Sequence, residues 1–185
     1  SRPGGTQDHR LDDPAAVSGD RYRLDGRVAV VTGAGHGIGR ATALEFAAAG
    51  AAVACLDIEA APLAETERLL RDAGARVVAI ETDVSSEPAT LAAAAQVIAA
   101  LGPPRVLVNS AAILDMGESL LQLPIERWNR ILAVNLTGAV LMSKAILPAM
   151  IAAGGGSIIH VASQLGSVGA PGSVADLSDV VLQER

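Results

Sequence analysis

Short apolar runs alternate with longer segments rich in Ala and Leu along most of the chain. Five runs are continuous and rich in β-branched residues, as is typical of strands covered on both faces of a sheet. These runs are VAVVT at 28–32, AVACLD at 52–57, RVVAIE at 76–81, RVLVN at 105–109 and SIIHVAS at 157–163. The segments between them predict helices at 38–49, 60–73, 87–101 and 124–152. Ser86 is a suitable N-cap for the third helix, and Pro124 suits the first turn of the fourth.

This alternation predicts an α/β fold with a doubly wound parallel sheet. Residues 1–22 mix Pro, Gly and both charge signs, so they predict a flexible N-terminal extension. Residues 23–185 predict a single domain, because 185 residues, half of them apolar, suffice for about one core. After Ser163 the pattern weakens to a Gly-rich loop and at most a short helix.

Charge and cysteine content narrow the range of partners. The formal net charge is −6, with no basic stripe, which argues against a nucleic-acid partner. Cys55 is the only cysteine, so no internal disulfide can form and a reducing, cytoplasmic location is predicted. No N-terminal segment has the pattern of a secretory signal, which favours the same location.

The most apolar neighbourhood, residues 131–153, is interrupted by Asn135, Lys144 and Pro148. A membrane span needs roughly 20 nearly uninterrupted apolar residues. We therefore expect a buried helix here, and no membrane partner.

The first predicted strand leads directly into TGAGHGIG at 32–39 and then into a helix. The G-x-G-x-x-G pattern fails, because it would require Gly where Ile38 stands, whereas T-G-x-x-x-G-I-G fits through Gly33, Gly37 and Gly39. At such a junction the backbone N–H groups of the helix start can hold a pyrophosphate. The alternative is an ordinary Gly-rich turn.

Asp57 ends the second predicted strand, 24 positions after Gly33. An acid at about this offset accepts hydrogen bonds from ribose hydroxyls and repels a 2′-phosphate, so it favours NAD over NADP. His36 could attract a phosphate, but an unperturbed His is mostly neutral at pH 7. The alternative for Asp57 is an ordinary surface carboxylate at a strand end.

Further motifs follow in a fixed order: DV at 83–84, NSAA at 109–112, WNRILAVNLTG at 128–138 and GSIIHVAS at 156–163. Together with TGAGHGIG and Asp57, this set resembles the short-chain dehydrogenase/reductase family from about Leu24 to Pro171. The resemblance implies a Rossmann-like sheet that binds NAD, and hydride transfer at a hydroxyl or carbonyl group of a small-molecule alcohol or ketone. It also implies no metal and a possible homo-oligomer formed through the 124–152 helix.

The resemblance also assigns roles to particular residues. Asp83 and Val84 would contact the adenine, and Asn109 with Ala111 would line the cofactor beyond. Asn135 would be the catalytic-site asparagine, and Ser163 would hydrogen-bond the reacting oxygen. The cofactor phosphates would lie on the glycine loop, formed by Gly33, Gly35, His36, Gly37, Ile38 and Gly39. The family usually has Gly where Ala112 stands.

Several of these residues have structural alternatives. Asn135 could be a buried helix Asn that bonds neighbouring backbone, and Ser163 a capping hydroxyl at a strand end. His160 is expected to be a packed core histidine, Lys144 a solvated or interface residue, and Trp128 a core residue or hydrophobic anchor.

The family's Tyr-x-x-x-Lys pair is the motif that does not match. In the family spacing, counting from Ser163 places Asp176 and Val180 where Tyr and Lys would stand, and the only Tyr and Lys are Tyr22 and Lys144. An Asp with a pKa near ~3.9 is a poor acid at neutral pH, and Val carries no charge. We therefore expect strongly impaired activity, with a catalytically silent dinucleotide-binding module or partner subunit as the alternative.

The resemblance implies two further strands after the Tyr/Lys helix, so the last strands of the family fold are expected to be missing. A segment lost between Ala175 and Asp176 would explain this.

Overall fold

The computed structural model describes residues 22–114 and 121–163. Its strands are β1 (Val28–Thr32), β2 (Ala52–Asp57), β3 (Val77–Glu81), β4 (Val106–Asn109) and β5 (Ser157–His160). Its helices are α1 (Gly37–Ala48), α2 (Ala60–Asp72), α3 (Glu87–Leu101), α4 (Ile125–Leu132) and α5 (Gly138–Ala152), with a π-helical turn at Ala133–Thr137 between the last two. All the predicted elements are therefore present, with ends that differ mostly by one residue.

The strands form one parallel sheet in the order β3-β2-β1-β4-β5. The chain builds outward from β1 to β3, then returns to place β4 on the other side of β1. This reversal makes a crevice at the carboxyl ends of β1 and β4, where ligands bind in open α/β sheets. The predicted doubly wound Rossmann-like sheet is confirmed.

Helices cover both faces of the sheet, as the continuous apolar strands predict. On one face, α1 and α2 pack over side chains such as Val31, Val53 and Cys55. On the other face, α3 and α5 pack over side chains such as Leu56 and Leu107. The central strands thus divide their side chains between two apolar layers.

The prediction that β5 is covered on both faces is wrong within the described residues. All five residues of β1 are buried, whereas the four residues of β5 alternate between exposed and half-buried. Ile159 keeps 44% of its surface exposed. In the described part of the chain β5 pairs with β4 alone, so it lies at the edge of the sheet.

The predicted 124–152 helix is neither continuous nor wholly buried. It begins at Ile125, changes to π-helical geometry at Ala133–Thr137, and buries one side, which includes Met142, Ile146 and Met150. By length and composition alone, the 28 residues from Ile125 to Ala152 could cross a membrane. The buried residues of this side join the core beside α3, which accounts for much of the apolar content.

The predicted Ser86 cap agrees with the structure, whereas Pro124, predicted in the first turn, is the extended residue before that turn. The Ser86 hydroxyl accepts a hydrogen bond from the Ala89 N–H at 3.4 Å, and Pro124 immediately precedes the first residue of α4. The predicted extension, apart from Tyr22, and everything after Ser163 lie outside the described residues. These include the predicted Gly-rich loop, Asp176 and Val180.

Candidate dinucleotide site

A cleft of about 640 Å³ opens at the carboxyl ends of the strands. It is bordered by the loops after β1 to β5 and by the start of α5. Twelve of the thirteen residues that the sequence singled out line it: Gly33, His36, Gly37, Ile38, Gly39, Asp57, Asp83, Val84, Asn109, Ala111, Asn135 and Ser163.

The glycine loop requires its glycines for different reasons. Gly33 has φ +66°, and a Cβ there would lie 2.9 Å from the backbone of Ala111. A Cβ on Gly39 would overlap the Gly33 carbonyl oxygen, so the start of α1 packs directly on the loop. Gly37 has φ +44° and open space in front of it. The loop therefore leaves a shallow cradle before the first N–H groups of α1, which have no partner within the helix.

Gly35, the remaining residue of the thirteen, lies behind this cradle. Its N–H donates to Asp57 Oδ2 at 2.7 Å, while Asp57 Oδ1 accepts from the Glu59 N–H at 2.9 Å. A Cβ on Gly35 would come within 2.8 Å of the same carboxylate. Asp57 is therefore a fixed, half-buried anion on the cleft wall rather than a freely solvated side chain.

Arg40 supports the glycine loop from behind, a role that the sequence alone did not predict. The Arg40 guanidinium donates to the Gly35 carbonyl at 2.5 Å and to the Thr66 hydroxyl at 2.9 Å. That hydroxyl lies 2.9 Å from the carbonyl of Ala34, to which it can donate in turn. These contacts attach the loop to α2, and only the pairing of α1 with α2 in three dimensions shows them.

Thr32, the first residue of TGAGHGIG, has a role that the sequence did not predict. Its hydroxyl oxygen accepts from the N–H groups of Ser110 and Ala111 at 3.0 and 3.1 Å. It thereby joins the ends of β1 and β4 at the crevice, next to the tight approach of Gly33 to Ala111.

Asp83 lies in the turn between β3 and α3. Its Oδ1 accepts from the N–H and the hydroxyl of Ser85 at 2.9 and 2.6 Å, and Arg130 lies 3.3 Å from its Oδ2. Burial acts to raise the pKa of this carboxyl, but the Ser85 hydrogen bonds and the Arg130 charge together hold the pKa below its usual range. Next to it, Val84 is buried and packs against Gly138.

Asn109 at the end of β4 is buried, and its amide nitrogen lies 3.2 Å from Nδ1 of His160. The same nitrogen lies 3.3 Å from the Ser143 hydroxyl. His160 is half-buried and lines the cleft, so the expectation of a packed core histidine is wrong. The reason is that β5 lies at the edge of the described sheet.

Asn135 is in the π-helical turn. Its side-chain oxygen accepts from the Ile113 N–H at 2.8 Å, and its amide donates to the Ile113 carbonyl at 3.1 Å. This two-point contact holds the segment after β4 against the helix. It is the backbone bonding that the structural alternative describes, at a position that also lines the cleft.

Ser163 is half-buried on the same cleft wall, just after β5. Tyr22 and Lys144 do not contribute to this cleft. Tyr22 is exposed and lies before the amino end of β1, whereas the cleft lies at the carboxyl ends of the strands. Lys144 is exposed on α5 and pairs with Glu87 at 3.2 Å. Trp128 is half-buried on α4.

These residues fit a dinucleotide. The glycine cradle and the helix start suit a pyrophosphate, because N–H groups and the positive end of the helix dipole converge there. The fixed Asp57 carboxylate suits ribose hydroxyls, and Asp83 offers an acceptor further along the same cleft. Within the described residues no group of three or more His, Cys, Asp or Glu side chains could hold a metal ion.

Known proteins are similar to this chain in sequence. A (3R)-3-hydroxyacyl-CoA dehydrogenase from Mus musculus is 40% identical over 157 residues, which span 80% of this chain and 61% of that protein. A cis-4-hydroxycyclohexanecarboxylate dehydrogenase from Sinomonas cyclohexanicum is 43% identical over 143 residues, spanning 77% and 57%. The chain thus spans about 60% of the length of the curated relatives it matches.

Solved structures of dehydrogenases and oxidoreductases are similar to this chain in fold. An NAD⁺-bound xylitol dehydrogenase matches with a TM-score of 0.82 and 34% identity, over 84% of this chain and 60% of that one. A metagenomic short-chain oxidoreductase in complex with NADP matches with a TM-score of 0.79 and 37% identity, over 84% and 71%. The family model for short chain dehydrogenase matches residues 27–175. The chain with this glycine cradle and crevice therefore belongs to the short-chain dehydrogenase family.

Proposed function

We propose that this chain binds NAD(H) in the cleft and belongs to a protein that moves hydride between the nicotinamide and a hydroxyl or carbonyl group of a small molecule. The observation that carries the proposal is the cleft itself. A glycine cradle at a helix start, a fixed carboxylate at the end of β2 and an asparagine and a serine at the far end line one continuous surface.

The preference for NAD over NADP rests on Asp57. Both of its oxygens accept backbone N–H groups, so the carboxylate cannot turn away from the cleft without losing them. A 2′-phosphate placed beside this anion would be repelled, whereas ribose hydroxyls could donate to it. His36 is exposed, and no ion pair joins it to Asp57 in the described part of the chain.

The end of the cleft near Asn135 and Ser163 supplies only part of the groups that hydride transfer to a carbonyl requires. NADH, when bound, supplies a hydride, and a carbonyl oxygen that receives negative charge then needs a proton. Ser163 can donate a hydrogen bond to that oxygen, and Asn135 holds the neighbouring backbone. The family's Tyr/Lys pair has no match in this sequence, because Tyr22 and Lys144 lie outside the cleft and Asp176 and Val180 stand at the family's positions.

We therefore expect the 185-residue chain to bind NADH while turning substrates over slowly. The second candidate, a catalytically silent dinucleotide-binding module or partner subunit, is favoured by the same mismatch at Asp176 and Val180. A cytoplasmic location and pairing of copies through the 124–152 segment complete the proposal. The exposed Val140, Leu147 and Ile151 on α5 support that pairing.

Titration of the chain with NADH, followed by nicotinamide fluorescence, tests binding. Turnover is then measured with NAD⁺ and a panel of secondary alcohols, sugar alcohols and 3-hydroxyacyl thioesters, by following the NADH formed. Saturable NADH binding, tighter than NADPH binding, is the expected result. Turnover that falls in a Ser163→Ala variant would support the enzyme, and binding with no turnover would support the silent module. No binding of either dinucleotide to the folded chain would overturn the proposal.

A further inference from the structure

Arg130 on α4 links the Asp83 turn to the helix that leads to Asn135. Its Nη1 donates to the Ser85 hydroxyl at 2.7 Å, and its Nη2 lies 3.3 Å from Asp83 Oδ2. Ser85 in turn donates from its hydroxyl to Asp83 Oδ1 at 2.6 Å. The three side chains thus form a closed ring of contacts: Arg130 with Ser85, Ser85 with Asp83, and Asp83 with Arg130.

This ring uses the two carboxylate oxygens of Asp83 unequally. Among the contacts of the described residues, Oδ1 accepts two short hydrogen bonds from Ser85, whereas Oδ2 has only the longer contact with Arg130. Oδ2 therefore keeps an acceptor site, and Asp83 and Arg130 both line the cleft. A carboxylate fixed in this way presents one oriented acceptor to a ligand that carries an N–H donor.

We propose that Arg130, together with Ser85, positions the Asp83 carboxylate so that the site distinguishes adenine from a purine without the 6-amino group. The inference rests on the proposed function, because it requires the adenine end of a dinucleotide at Asp83. Adenine offers a donor in its exocyclic amine, whereas hypoxanthine offers a carbonyl oxygen there. An oriented carboxylate should accept a hydrogen bond from the adenine amine and repel the carbonyl oxygen of hypoxanthine.

A plain surface ion pair is the competing explanation, since the side chains of Arg130 and Asp83 are 45% and 34% exposed. Exposed pairs contribute little to stability. Such a pair would stabilise the β3–α3 turn equally for any ligand. The positioning role predicts instead that loss of Arg130 changes the choice between two dinucleotides that differ only in the purine.

The experiment compares reduced nicotinamide adenine dinucleotide with reduced nicotinamide hypoxanthine dinucleotide, by fluorescence titration of the full chain. The variants are Arg130→Gln, Arg130→Lys and, as a control with the same charge change, Arg71→Gln. Arg71 lies on α2, where it is exposed and pairs with Glu67 outside the cleft. Melting temperatures check that each variant is folded.

We expect Arg130→Gln to weaken binding of the adenine dinucleotide by about twofold to fivefold, the scale of an exposed charge-assisted contact, and to affect the hypoxanthine dinucleotide less. Arg130→Lys should recover part of the preference, and Arg71→Gln should leave it unchanged. Equal weakening of both dinucleotides, or an unchanged preference in Arg130→Gln, would overturn the role of Arg130 while leaving the proposed function intact. If the unsubstituted chain binds neither dinucleotide, the proposed function fails and this inference fails with it.

Discussion

The β1–β2 pair and β5 are built from similar residues, yet they differ in how they are packed. Nearly every side chain of β1 and β2 is buried, and the loops that follow them are held by Asp57, Arg40 and Thr32. Strand β5 has half of its residues exposed and leads to Ser163. The glycine-loop end of the cleft therefore rests on two buried strands and on hydrogen-bonded loops, whereas the Ser163 end follows a half-exposed edge strand in the described part of the chain.

The largest expected effect tests this difference directly. Leu56 in β2 is fully buried, and Leu56→Ala should lower the free energy of unfolding by about 2–5 kcal/mol, because the cavity cannot collapse completely. Ile159→Ala in β5 should cost only about 1 kcal/mol, since 44% of that residue is already exposed. Urea unfolding measures both. Equal losses would mean that β5 is packed as tightly as β2.

A smaller effect is expected at the junction of the glycine loop with α1. Gly39→Ala forces a Cβ onto the Gly33 carbonyl, and overpacking of this kind costs about 1–3 kcal/mol. Because the clash deforms the cradle, NADH affinity should fall by roughly tenfold to a hundredfold. Gly74→Ala is the control: its φ of +78° is also strained, but it faces open space at the end of α2. That variant should lose stability and keep NADH affinity.

The cofactor preference should respond to one charge. Asp57→Asn keeps the size of the side chain but removes the anion, so the ratio of NADH to NADPH affinity should fall by about tenfold. Parallel titrations with the two dinucleotides measure this ratio. Asp72→Asn removes the same charge from the exposed end of α2, where Asp72 pairs with Arg68, and should leave the ratio unchanged. A ratio that stays the same in Asp57→Asn would rule out Asp57 as the discriminating group.

The smallest effect reports how well the β1–β2 half excludes water. Burial first, and then the charge of Glu67, raise the pKa of the Cys55 thiol to about 12. Between pH 9 and 12 the unfolded chain has lost this proton and the folded chain keeps it, so stability falls as pH rises. From pH 8 to pH 10 the expected loss is about 1.4 kcal/mol.

Unfolding free energies of the unsubstituted chain and of Cys55→Ala, measured across this pH range, isolate the contribution of the thiol. The other titrating groups are common to both proteins. If the unfolding free energy falls with pH at the same slope in both proteins, the expected exclusion of water from the β1–β2 half is contradicted.

Local patterns in the sequence were sufficient to predict the parallel sheet and the residues that line the cleft. Continuous β-branched runs predict buried strands, and the loops after parallel strands must meet at one edge, which brings Gly33, Asp57, Asp83, Asn109 and Ser163 together. The Ser86 cap followed from hydrogen bonding within a few residues. These features depend on short-range physics or on the topology alone.

The features that were missed depend on long-range geometry. Arg40 and Arg130 act across helices, on partners 26 and 47 residues away, and nothing in their neighbours distinguishes them from solvated arginines. The half-exposed β5 looked like a core strand because apolar composition does not report whether a neighbour covers it. The π-helical turn was missed because periodicity over a few residues cannot separate one extra residue from noise.

That turn has a geometric consequence for the whole 28-residue segment. Each residue of an α-helix advances the side-chain direction by about 100°, so the extra residue in the wider turn changes the angular phase of α4 relative to α5. With this offset Arg130 reaches the Asp83 side of the cleft while Met142, Ile146 and Met150 point into the core. A single insertion or deletion at 133–137 would act as a rotation, exchanging core-facing and solvent-facing residues along one half of the helix.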